Sequence, residues 1–144
     1  MVKNQPSGEA LLHPTVTEVS KLAKGAIVVG HALVGWAYCG AIIGIGRQFM
    51  SMQTTLVVHA VGAPVGFFLL SLLYFRRFAF TTPFQTALIF LAVVAGMDAL
   101  VVAPFLEKSF AMFASPLGMW LPLALIFCTT HFTGIRCRRG VQPS

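Results

Sequence analysis

The chain places single ionisable residues inside otherwise apolar stretches, and these residues are the ones that could do chemistry. The clearest is Asp98, the one formal charge within the apolar segment 84–106. Ionisable groups at membrane depth are costly, and they often mark proton or ion pathways. An aspartate with a basic neighbour at the same depth could therefore bind a proton, an ion or a small polar solute reversibly.

Two sets of ionisable residues are expected at matching depths when the apolar segments are aligned at about 1.5 Å per residue. His59 near the start of its segment and Asp98 in the later part of its own are expected on the same side of the membrane, with Arg47 nearer the membrane surface on that side. This set predicts an ion- or solute-binding site, and its alternative is a buried hydrogen bond that only fixes helix packing.

His31 and His131 are both expected on the other side of the membrane, again at similar depth. Two histidines on different helices could be the axial ligands of a b-type haem. The alternative is that each ring only hydrogen-bonds to water or lipid headgroups. The sequence leaves the cofactor unknown, with haem b as one hypothesis.

The composition indicates which elements must position these residues. The chain is 57% hydrophobic and only 10% charged, whereas soluble domains carry about a quarter charged residues. A helix needs about 20 mainly apolar residues to span a bilayer. Four stretches meet this length, and they predict an all-α membrane protein, a four-transmembrane-helix bundle with short loops: 26–45, 56–75, 84–106 and 117–135.

These spans divide the chain into a leader (1–24) with an interfacial helical turn, a transmembrane domain (25–135) and a basic tail (136–144). Basic residues concentrate on the cytoplasmic side of membrane proteins. Only Arg47 and Lys108 fall on one side of the predicted bundle. The other side carries the remaining eight, which predicts that both termini are cytoplasmic: Lys3, Lys21, Lys24, Arg76, Arg77, Arg136, Arg138 and Arg139.

Small residues indicate where helices can approach one another closely. Gly40 and Gly44 form a GxxxG pair in the first span, and we expect this helix to contact two neighbours and to be the central member of the bundle. Gly62 and Gly66 suggest a second packing surface in the next span. Between them Pro64 removes a backbone donor, which predicts a kink.

No Walker, GxGxxG, HExxH or GxSxG motif is present, so the sequence favours a non-enzymatic role without deciding the point. The first hypothesis is permeation or transport of an ion, a proton or a small solute through an Asp/His site. The second is a haem- or quinone-binding electron-transfer subunit, and the third is a non-catalytic assembly or scaffold protein. The expected partners are the lipid bilayer and further copies or subunits of a membrane complex, without nucleic acid. In a bacterium or archaeon the expected location is the cytoplasmic membrane.

Overall fold

The protein is a bundle of four long helices, and the computed structural model describes residues 16–140. Each helix is long and apolar enough to cross a membrane when two π-helical segments are included, Asp98–Leu106 after the third helix and Pro116–Trp120 before the fourth. Residues 16–140 contain no strand. The predicted fold class is therefore confirmed, and the chain is a multi-pass membrane protein. The helices are α1 (Val16–Phe49), α2 (Met52–Arg77), α3 (Pro83–Met97) and α4 (Leu121–Arg139).

The helices are longer than the predicted spans, and the connections are correspondingly shorter. The connection between the first two predicted spans is reduced, because α1 continues to Phe49 and the Ser51 side chain caps α2 by accepting from Thr54 N at 3.2 Å. Before α3, Thr82 and Gln85 form a reciprocal capping box. Each cap satisfies backbone donors that the first helical turn leaves free. The predicted leader up to residue 15 and the tail from residue 141 lie outside the described residues.

Each helix packs on two others, in the cyclic order α1, α2, α4, α3. The two neighbours predicted for the first helix are therefore confirmed, but α1 is not the central member, since every other helix also has two neighbours. Neighbours α1 and α3 run in the same direction, as do α2 and α4. The connection 78–82 thus joins two diagonally opposed helices across one end of the bundle.

That end, which we call the basic end, is closed by a chain of hydroxyl groups. Tyr74 Oη lies 2.8 Å from Thr81 Oγ1, which lies 2.7 Å from Thr86 Oγ1. Arg138 donates to the carbonyl oxygen of Thr81 at 3.0 Å. Lys24 lies over the ring of Phe80. Basic side chains of α1 and α4 are therefore gathered at one end, as the sequence predicts, while the cytoplasmic orientation stays a prediction.

The middle of the bundle is filled by aromatic rings that meet across its diagonal. Phe67 of α2 and Phe90 of α3 are fully buried, with ring centroids 5.7 Å apart. Gly35 of α1 is buried against the ring of Phe67. This aromatic layer separates the hydroxyl chain of the basic end from the other end, which we call the cavity end.

The glycines of α2 make the close approach to α1. A Cβ at Gly62 would lie 2.8 Å from Cδ1 of Ile42, and one at Gly66 would meet the ring of Tyr38. Tyr38 Oη donates to the carbonyl oxygen of Gly62 at 3.3 Å. Pro64 lies between these glycines inside the continuous helix α2, where it cannot donate to the carbonyl of Ala60.

Candidate functional site

Asp98 lies where α3 changes its hydrogen-bond pattern. From Asp98 to Leu106 the helix continues as a π-helix, which contains Pro104. A proline cannot donate to the carbonyl one turn earlier, so regular α-helical bonding would fail here in any case. Such π-helical segments are frequent at functional sites.

The hydrogen-bond partner of Asp98 is Trp36 of α1. The indole Nε1 donates to Oδ1 of Asp98 at 2.9 Å. Both side chains are only partly buried, and the other carboxylate oxygen has no hydrogen bond within the described part of the chain. The indole fixes the orientation of the carboxyl group and leaves one of its oxygens available.

Asp98 and Trp36 line a cavity of about 130 Å³ at the cavity end of the bundle. Its wall is built by α1, by the π-helical end of α3 and by the start of α4, with a single contribution from α2. Most of the lining is apolar. The polar or ionisable side chains on the wall are Trp36, Cys39, Arg47, His59, Asp98 and Glu107.

His59 is the side chain that α2 contributes. It is 6% exposed, and its Nδ1 is buried without a hydrogen-bond partner among the described residues. Buried polar atoms are nearly always paired with protein or with ordered water. The His59 ring lines the wall of a cavity that can hold water, but Nδ1 itself has no access to solvent and is closed off from the cavity space.

Arg47 lies on the same cavity wall but forms an ion pair with Glu107. Trp36 and Arg47 are about 16 Å apart along α1 at about 1.5 Å per residue. Arg47 is therefore much nearer the end of the bundle than the carboxyl group of Asp98, which contacts Trp36. The structure therefore brings His59, Asp98 and Arg47 around one cavity, while the partners of the two charged side chains are Trp36 and Glu107.

Gly40 and Gly44 also belong to this wall, and their predicted role in helix packing is not seen among the described helices of the bundle. A Cβ on either residue would meet no atom within 4 Å. Both glycines are exposed. The missing side chains therefore leave space, and the cavity is open along these two residues.

His31 and His131 at the basic end lie in separate aromatic surroundings. His31 Nδ1 donates to the carbonyl oxygen of Ile27 at 2.7 Å, and its ring meets Tyr74 and Phe78 edge-on.

His131 contacts the rings of Phe84, Phe127 and Phe132, and its Nδ1 is buried without a hydrogen-bond partner in the described part of the chain. Within residues 16–140 no group of three His, Cys, Asp or Glu side chains is placed to hold a metal ion. Haem ligation by His31 and His131 stays a prediction.

Sequence reasoning missed two members of the site, Trp36 and Glu107. Trp36 is an aromatic residue among apolar neighbours, and its only polar atom is a donor that needs an acceptor when buried. That requirement could have paired it with the one acid of the spans. Glu107 directly follows the predicted third span, at the same end of the bundle as Arg47.

Comparison of the chain with protein-family models, with curated proteins and with solved structures found no match.

Proposed function

We propose that the protein carries a proton or a small cation across the membrane, with Asp98 as its binding group. The observation behind this proposal is the position of the carboxyl group, which lies in a membrane span and on the wall of a cavity. An acid that only fixed two helices together would be expected in a packed seam between them. A carboxylate beside an open space can instead exchange protons or bind a cation there.

The Trp36 hydrogen bond suits a group that changes its protonation state. The indole N–H can only donate, and a carboxyl oxygen can accept in both the protonated and the ionised form. Asp98 can therefore gain or lose a proton, or a cation, without losing this partner. The bond keeps the side chain in place through the cycle.

His59 would provide the second polar contact for the transported species. Its ring lines the cavity, where it could hydrogen-bond to a water molecule or to the solute. The Arg47–Glu107 pair lies on the same wall but nearer the end of the bundle, where a cation would enter the cavity. Its net charge is zero, so it would not repel an incoming cation as a lone arginine would.

The aromatic layer would act as the closed barrier of the pathway. Val94 lines the cavity, and Phe90 precedes it by one turn of α3. Beyond the buried rings of Phe67 and Phe90, Ser71 donates to Thr130 at 3.1 Å, and the hydroxyl chain of the basic end follows. Polar groups thus lie on both sides of an apolar layer, and transport would require this layer to open.

We also propose that the working form is an oligomer or part of a membrane complex. The cavity is open along the exposed Gly40 and Gly44, so one chain does not enclose a pathway. A second copy or another subunit could close that side, because small residues allow helices to approach closely in lipid.

The test is proton and cation flux into liposomes that contain the purified protein. Asp98→Asn removes the ionisable group, but its amide oxygen can still accept from Trp36. We expect flux in this variant to fall to the level of empty liposomes while the fold is retained. Flux that persists at the wild-type rate would overturn the proposal.

His59 and His131 provide a matched control within the same chain. Both rings have a buried Nδ1 without a described partner, but only His59 lines the cavity. We expect His59→Asn to reduce the flux and His131→Asn to leave it unchanged. Equal effects of the two substitutions would argue for a general packing defect and against a pathway through the cavity.

The same preparation separates the alternative functions. A Soret band that is lost in His31→Ala or His131→Ala would favour the electron-transfer hypothesis. A colourless protein without flux in which Asp98→Leu changes nothing would favour a scaffold role.

A further inference from the structure

We propose that a groove between α2 and α4 at the basic end binds one anionic phospholipid. This site lies at the opposite end of the bundle from the Asp98 cavity, and the inference does not depend on the proposed transport function. The groove has a volume of about 460 Å³. Its wall combines apolar side chains with two arginines, and the argument uses Phe68, Leu72, Arg76, Thr133, Arg136 and Cys137.

The arginines of the groove have no partner in the protein. Arg76 lies in the last turn of α2 and Arg136 in the last turn of α4, and both side chains are exposed. Neither forms an ion pair or a side-chain hydrogen bond with a described residue. Their neighbour Arg138 differs, because it donates to the carbonyl oxygen of Thr81. Two unpaired guanidinium groups that flank one groove match a phosphate group, which arginine can bind in a bidentate manner.

The apolar part of the groove extends from the arginines towards the middle of the membrane. Phe68 is 44% exposed and lies about 12 Å from Arg76 along α2, at about 1.5 Å per residue. Leu72 lies between them and also lines an adjoining groove that ends at Arg76 and Arg77. A ligand that follows this surface must be charged at one end and apolar at the other, which is the chemistry of a phospholipid.

The charge pattern selects an anionic headgroup. Arg77 and Arg139 lie near the two groove arginines at the same end of the bundle, whereas Asp98 and Glu107, the acidic residues whose side chains the structure describes, lie at the cavity end. Basic pockets between transmembrane helices on the cytoplasmic side bind the headgroups of anionic lipids. A zwitterionic headgroup would bring a positive amine towards several arginines, so it should bind less well.

The test is native mass spectrometry of the full chain in detergent, titrated with phosphatidylglycerol and, separately, with phosphatidylcholine. We expect one phosphatidylglycerol to bind in preference to phosphatidylcholine. The double variant Arg76→Gln/Arg136→Gln should weaken this binding by about tenfold or more, or about 1.4 kcal/mol, because charge-assisted bonds to the phosphate are lost.

The matched control is Lys21→Gln/Lys24→Gln, which removes the same number of positive charges from the same end. Neither residue lines the groove, so we expect phosphatidylglycerol binding close to that of the wild type. An equal loss in the two double variants would overturn the proposal, because it would mean that only the overall charge is sensed. Equal binding of the two lipids, or displacement of the lipid by inorganic phosphate alone, would also overturn it.

Cys137 gives a second readout at the groove itself. This cysteine is free, partly exposed and part of the groove wall. Bound phosphatidylglycerol should slow its alkylation by a maleimide, as followed by peptide mass spectrometry, and the groove double variant should abolish this protection. If the lipid binds but the alkylation rate of Cys137 is unchanged, the lipid lies elsewhere and the assignment fails.

Discussion

Two glycine-to-alanine substitutions in α1 should change stability in opposite directions. Both add the same methyl group to the interior of the same helix, and the gain from replacing glycine is about 0.5–1 kcal/mol in each case. At Gly44 the new Cβ would meet no atom within 4 Å, because it would project into the cavity. We therefore expect Gly44→Ala to stabilise the protein by about this amount.

At Gly35 the same methyl group has no room. Its Cβ would lie 2.7 Å from Cε1 of Phe67, and this ring is fully buried and packed edge-on against Phe90. Overpacking of this kind costs about 1–3 kcal/mol. Since the backbone gain is common to both variants, the difference between Gly35→Ala and Gly44→Ala should be about 1–3 kcal/mol.

The assay is equilibrium unfolding in mixed micelles with increasing sodium dodecyl sulfate, followed by far-ultraviolet circular dichroism. The expected difference corresponds to roughly a 5- to 150-fold change in the unfolding constant, at about 1.4 kcal/mol per tenfold. Equal stability of Gly35→Ala and Gly44→Ala would refute the reasoning, because it would mean that the aromatic layer yields freely or that the cavity wall is in fact packed.

Two further predictions concern hydrogen bonds of the cavity wall. With Asp98 ionised, Trp36→Phe should destabilise the wild-type protein by about 1.5–3 kcal/mol, but the Asp98→Asn variant by only about 1 kcal/mol. A double-mutant cycle in the same unfolding assay measures this difference. Identical losses in the two backgrounds would mean that the carboxyl group of Asp98 is neutral. Arg47→Gln and Glu107→Gln should each change the free energy of unfolding by less than about 1 kcal/mol, because the two side chains are 44% and 33% exposed. The coupling energy between them in a double-mutant cycle should be about 0.2–1 kcal/mol. A coupling energy above about 2 kcal/mol would show that the pair is desolvated in the membrane.

The number and type of the helices could be predicted from the sequence. The capping pattern at Thr82 and Pro83 marks the start of α3, and the four apolar stretches match the observed helices. This success has a simple physical basis, because a chain in lipid must satisfy every backbone group internally, and long helices do so. The predicted spans ended too early, since α1 continues through Arg47 to Phe49 and Ser51 already caps α2.

The alignment of depths also predicted which ionisable residues would lie towards the same end of the bundle. The rise of a helix fixes how far along its axis a residue lies, so Asp98, His59 and Arg47 were expected near one end and are found around one cavity. Depth does not fix rotation about the axis or the order of the helices. The indole of Trp36 and the carboxylate of Glu107 were therefore missed as partners, although both lie at suitable depths.

The glycines show most clearly what only the tertiary structure decided. In the sequence Gly40, Gly44, Gly62 and Gly66 are equivalent, because each is a small residue in a GxxxG pair. In the folded bundle the glycines of α2 contact α1, whereas those of α1 border an open cavity. A missing side chain permits either a close contact or an empty space, and the outcome depends on which helix lies opposite. The sequence alone determined lipid as the solvent, four helices as the fold and the depth of each charge, while the packing order decided which of these residues form a site.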